Sequence, residues 1–229
     1  MKFTPGIAIG SASGSLGGTT FSRNRFGMYT RTRAVPVNPD TSYQQNVRGH
    51  LAAASQGWGA LTVAQQLAWK AWAQTHPVID TLGQSQILTG HLAYIKCNLQ
   101  LRLSGDTEIT EPPVVGAPDA LLTCSASIDI GVGGTSLTFT ATPLGADERL
   151  IIRAAVVNSP GVSYVTNLLK EIVRTDKAQA TGYDFESDLA ARFGTLSVGQ
   201  NVELRCQVLD TTTGLLSSVI SARTAIVST

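Results

Sequence analysis

Residues 106–120 read DTEITEPPVVGAPDA: four acidic side chains, three prolines, no base and no periodic apolar pattern. The spacing of apolar residues changes across this stretch. Before it they recur every three to four positions, the period of a helix buried on one side. After it they gather in short runs rich in Val, Ile, Thr and Leu, the signature of strands. The stretch therefore reads as a linker between a helical module at residues 40–105 and a β domain at residues 121–229.

On the β side, the strand-like runs are Leu121 to Ile130, Thr135 to Thr142, Arg149 to Val157, Val162 to Arg174, Asn201 to Asp210 and Leu215 to Val227, separated by Gly, Pro or Asp turns. Six or seven strands in about 110 residues predict an antiparallel β-sandwich of immunoglobulin or fibronectin type III kind. FESDLAARF at 185–193 interrupts them as one short helix stopped by Gly194, and TTTG at 211–214 predicts a tight hairpin between the last two strands. Cys124 and Cys206 can face each other across such a sandwich. No Trp lies between them, so the antibody-type pattern is absent, and all three cysteines (with Cys97) are expected as free thiols.

On the helical side, Asp40, Thr41 and Gln44 read as a helix start, with Tyr43, Val47, Leu51, Ala54 and Trp58 as the inward stripe and Gly57 and Gly59 as the end. Thr62 and Gln65 repeat the capping pattern for a second helix with Val63, Leu67, Ala71 and also Ala68 and Trp72 inward, closed by Pro77. Residues 78–88 read as a loop. Thr89 opens a third helix with Leu92, Ile95, Leu99 and Leu103 inward and Gly105 as its stop. All three tryptophans, Trp58, Trp69 and Trp72, fall in this module at core spacing, which predicts helix-to-helix packing.

Residues 1–39 are of another kind. They hold Lys2, Arg23, Arg25, Arg31 and Arg33 and no acid, so the remainder, with 12 basic and 16 acidic residues, carries −4 within a net charge of +1. Gly and Pro content argues against a helix. From Phe21 to Arg33 a period of two places Phe21, Arg23, Arg25, Tyr29, Arg31 and Arg33 on one side of an extended chain and Phe26 and Met28 on the other. A cationic arm with interleaved aromatics on an acidic body predicts docking to protein, with nucleic acid as the lesser option.

Motifs for chemistry are missing. His50, His76 and His91 all lie in the helical module at spacings that match no compact metal pattern, and no CxxC, HExxH or G-x-S-x-G occurs. Gly14, Gly17, Gly18, Gly131, Gly133 and Gly134 lack the strand and helix that a phosphate loop requires. The expectation is a protein without catalytic, cofactor-binding or metal residues and without a membrane span.

GGTTFSRNRFGMYTRTRAVPVNPDTSYQQNVRG, followed by WGALTVAQQLAWKAWA and LTGHLAYIKCNLQLRLSG, resembles a family of bacteriophage and prophage proteins to which no activity is attached and which look like virion structural components. Gly17, Gly18, Phe21, Arg23, Arg31, Pro36, Pro39, Trp58, Thr62, Trp69 and Gly90 are among the residues that carry the likeness. It covers about residues 10–105 and the β half only in outline. The resemblance implies a non-enzymatic virion protein made in the bacterial host cytoplasm. On the arm's own pattern the docking residues are Phe21, Arg23, Arg25, Phe26, Met28, Tyr29, Arg31 and Arg33, and the expected partners are capsid, neck or tail subunits and copies of the chain itself. A tail adsorption module that binds a host surface or carbohydrate, and a DNA-contacting protein inside the head, stand as the alternatives.

Overall fold

A computed structural model describes residues 12–24, 27–35, 37–79, 84–131, 134–141, 144–162 and 164–228. The chain is mixed α and β and divides into two compact units, Met1–Gln45 and Asn46–Thr229. The first holds a three-stranded antiparallel sheet of β1 (Gly14–Leu16), β2 (Thr19–Asn24) and β3 (Gly27–Thr32), in that order. The unit boundary falls within helix α1 (Ser42–Ala60).

In the second unit, α2 (Val63–Thr75) starts on the capping box read from the sequence: the Gln65 backbone N–H donates to Thr62 Oγ1, and the Thr62 N–H donates to Gln65 Oε1 at 2.9 Å. A small hairpin, β4 (Val78–Ile79) with β5 (Ser85–Gln86), precedes α3 (Gly90–Ser104), which is capped by Thr89 and ended by Gly105 in the left-handed conformation. The inward stripes differ in part from those expected: Ala54 is buried and Trp58, Trp72 and Ile95 pack against the helical core, as expected, but other positions turn outward. On α2 the buried residues are Trp69 and Ala73, whereas Val63 and Leu67 are 73% and 56% exposed and Ala71 is exposed. α3 buries Gly90, Ala93, Tyr94, Cys97, Asn98 and Leu101, leaving Leu92 exposed and Ile95, Leu99 and Leu103 half-buried. On α1 only Ala54 is buried, with Tyr43 and Leu51 exposed. These helices carry small apolar residues on several faces, so periodicity alone is ambiguous. Burial of the larger Trp69 and Tyr94 rings removes more apolar area and decides the rotation.

The remaining strands are β6 (Thr123–Asp129), β7 (Gly134–Thr140), β8 (Glu148–Val157), β9 (Lys170–Arg174), β10 (Asn201–Asp210) and β11 (Ile220–Val227), with α4 (Glu186–Phe193) between β9 and β10. They form one curled sheet in the order β7-β6-β11-β10-β8-β9, antiparallel except for the parallel pair β6 and β11. Residues two apart on each strand share a face, and one face supplies the core: Ile128, Leu137, Phe139, Leu150, Ile152, Ala154, Val202, Leu204, Cys206, Val208 and Ile226, joined by Phe185 at the start of α4 and Leu189 within it. β8 is buried on its other face as well, at Ile151, Ala155 and Val157, which accounts for its continuous apolar run. Among its described residues, the run expected as a strand over 162–174 is a strand over Lys170–Arg174. Before it, Val165 buries against Ala155 and Val157, and Arg223 donates to the Pro160 and Val162 carbonyls. TTTG at 211–214 closes a tight turn as expected: the Gly214 N–H donates to the Asp210 carbonyl at 2.8 Å, the Asp210 N–H to the Leu215 carbonyl at 3.1 Å, and Leu209 bridges Leu216, while Asp210 also accepts from the Thr212 and Thr213 hydroxyls and the regular ladder of β11 begins at Ile220.

Helices and sheet share the second unit. Arg174 on β9 donates to the Gln100 carbonyl and the Ser104 hydroxyl of α3 at 3.1 and 2.9 Å, and Arg149 on β8 pairs with Asp106 at 3.1 Å. Leu215 belongs to the helical core with Trp69 and Cys97. The stretch 106–120 is fastened at its start, where Ile109 N–H donates to the buried Asn98 side chain and the Thr110 carbonyl accepts from the Trp69 indole, each under 3 Å.

Candidate functional site

The arm sheet is built from turns that its glycines permit. Gly17 and Gly18 form a two-residue connection between β1 and β2, and Gly17 has φ +55, a conformation costly to residues with a Cβ. Leu16 pairs with Thr19 and Gly14 with Phe21, while Ser15 and Thr20 also join through their hydroxyls at 2.9 Å. The Arg33 N–H donates to the Gly18 carbonyl at 2.8 Å and extends the β2–β3 ladder by one step.

Register corrects the expected one-sided face. Asn24 pairs with Gly27, Arg23 with Met28, Ser22 with Tyr29, Phe21 with Thr30 and Thr20 with Arg31. A reversal after an even number of residues pairs odd positions with even ones, so the period of two changes phase at the turn. Phe21 and Arg23 therefore share one face with Leu16, Met28 and Thr30, and Tyr29 and Arg31 lie on the other with Ser15, Thr20 and Ser22. Of the eight docking residues expected, six lie in this sheet or beside it; Arg25 and Phe26 fall outside the described residues. Arg23, Arg31 and Arg33 are exposed, and Phe21, Met28 and Tyr29 half-buried. No ion pair among the described residues engages those three arginines. Both faces thus join a cation to a partly exposed apolar side chain, and among the described residues β1 and β3 are the sheet edges. Such edges accept a further strand from a partner through main-chain hydrogen bonds.

The aromatic cluster is packing. Trp69 is fully buried, meets Tyr94 edge-on at 5.5 Å and Trp72 at 5.7 Å, and Trp58 lies 5.7 Å from Tyr94. Gly57 leaves room for the Tyr94 hydroxyl, since a Cβ there would stand 2.7 Å from it. The histidines are dispersed: His76 stacks on Trp72 at 4.2 Å, His91 meets the Ser55 hydroxyl at 3.3 Å, and His50 lines a hollow with Arg102 and Glu108. Among the described residues no group of three His, Cys, Asp or Glu stands ready for a metal, and no helix is long and apolar enough to cross a membrane.

Sequence reasoning missed the contacts that join α3 to the sheet, Arg149 with Asp106 and Arg174 with Gln100 and Ser104, because partners 43 and 74 positions apart leave no local signal. It also missed the pair Arg153 and Arg205, directly opposite in register on the sheet's outer face, where they donate to Gln207 and Thr166.

No protein-family model matches the chain, and comparison with curated proteins finds no match. Among solved structures, the crystal structure of a Fn3-like protein from Clostridium thermocellum is similar over 48% of this chain and 95% of its own length, at 14% identity and a TM-score of 0.32.

Proposed function

We propose that this chain is a non-enzymatic structural protein of a phage virion, a capsid decoration or cement protein or a head-to-tail assembly component, that docks through its N-terminal arm. The observation that carries the proposal is the separation of the first 45 residues into their own compact unit, a sheet with exposed Arg23, Arg31 and Arg33 and two edges. The likeness of residues 10–105 to phage and prophage proteins supplies the virion setting. In this reading residues 121–229 form a sandwich of immunoglobulin or fibronectin type III kind that faces solvent. The arm lies on capsid, neck or tail subunits or on another copy, its apolar side chains supplying most of the binding energy and its arginines fixing register against acidic groups.

The test is truncation. Particles assembled with a chain lacking residues 1–39 should lack the protein, by mass spectrometry of purified particles, while the truncated chain stays folded. Normal incorporation would refute arm docking. DNA binding that weakens steeply with salt and vanishes on changing Arg23, Arg25, Arg31 and Arg33 to Ala would favour a head-interior, DNA-contacting protein instead. Glycan or cell binding by residues 112–229 alone would favour an adsorption module.

A further inference from the structure

Two thiols meet inside the sheet. Cys124 on β6 and Cys206 on β10, 82 residues apart in sequence, are free cysteines whose sulfurs stand 3.6 Å apart. Cys206 is fully buried in the core and Cys124 half-buried at its margin. They span the least-paired seam of the sheet. β6 pairs with β7 at seven positions and β10 with β8 at ten, whereas β6 and β11 share two, Ile226 with Ile128 and Val227 with Asp129. Cys124 lies toward the opposite end of β6 from that short ladder, where no register pair ties the strand to β11.

We infer that Cys124 and Cys206 are a disulfide-forming pair, closed by a small hydroperoxide, that locks the β6–β7 ribbon to the rest of the sheet. The inference stands independently of the assembly role proposed above. Cys124, the more accessible sulfur, attacks one peroxide oxygen as its thiolate; the O–O bond breaks, the sulfur becomes a sulfenic acid, and the departing hydroxide takes up a proton as water. The Cys206 sulfur, already at contact distance, then attacks the Cys124 sulfur. The S–S bond forms as the S–OH bond breaks, and the hydroxide leaves with the Cys206 proton as a second water. Two thiols and one hydrogen peroxide yield one disulfide and two waters, the sulfurs losing two electrons to the peroxide. The contact with Cys206 holds the Cys124 thiol below its ordinary value, which favours the attacking thiolate there, while the contact with Cys124 and burial push the Cys206 thiol up. Cys97, in the helical core and pushed up to about 12 by burial, is an internal control.

The full chain is treated with hydrogen peroxide, unfolded, alkylated and mapped by mass spectrometry, with Tm measured before and after. The expected result is one alkylated thiol, Cys97, a cross-linked peptide joining Cys124 to Cys206 within one chain, and a Tm higher by about 10 °C that dithiothreitol reverses, the size expected for closing so long a loop. Cys124→Ser should show no such rise. Three alkylated thiols, a sulfinic acid at Cys124 without a cross-link, links only between chains, or an equal Tm rise in Cys124→Ser would overturn the inference. The mass map uses the unaltered chain and decides the matter even where Cys124→Ser fails to fold.

Discussion

At Gly214 the β10–β11 turn passes so close to α3 that a Cβ would stand 2.8 Å from the Cys97 carbonyl carbon, and the backbone there has φ +70. Gly105, at φ +74, has nothing within 4 Å of the same added atom. The two glycines separate conformational strain from steric clash. Gly105→Ala should cost about 1 kcal/mol, the left-handed penalty alone, and Gly214→Ala about 2–4 kcal/mol, because two backbones must part; urea unfolding of both variants checks the difference. Tyr183 gives a second residue-scale test. Burial, then its hydrogen bond to Asp188 at 2.9 Å, pushes its phenol up to about 12. A phenol raised in the fold contributes stability that is complete below the unfolded value of about 10 and is lost as pH rises from there toward the folded value. The stability of the native chain should therefore fall between those limits more steeply than that of Tyr183→Phe, and an equal slope would show that Tyr183 titrates normally.

Element boundaries were legible where local chemistry sets them. The Thr62–Gln65 box, the Thr89 cap, the Gly105 stop and the β10 span from Asn201 to Asp210 all follow from side chains within a few positions of the boundary. Element orientation was legible only where one period dominates. VAQQLAWKAWAQT has apolar residues on two sides, and the side holding Trp69, whose indole donates to the Thr110 carbonyl at 2.9 Å, wins over Val63 and Leu67. Trp69→Ala should thus cost about 3–5 kcal/mol and Leu67→Ala less than about 0.5 kcal/mol in denaturant unfolding, whereas the expected stripe placed Leu67 inward. In the arm, the pairing of Asn24 with Gly27 was enough to move Tyr29 and Arg31 off the Phe21 face, because a period of two carries no information about where the chain reverses.

For the whole molecule, the change of period at residues 106–120 announced the order of helical and β halves, but not that Arg149, Arg174 and Leu215 would fasten them into one unit. The division between the two compact units lies earlier, between residues 45 and 46. Since the core clusters draw on residues 54 and beyond, removing residues 1–39 should change Tm by no more than about 2–4 °C in a scan of the truncated chain; a larger loss would mean that the arm is part of the body's stability. The most direct measurement of arm docking is a reconstruction of the particle at side-chain detail. Strands β1 to β3 should be buried against a neighbouring protein subunit, with Arg23, Arg31 and Arg33 facing acidic groups. Finding those strands in solvent or on DNA, with residues 46–229 making the particle contacts, would contradict the account.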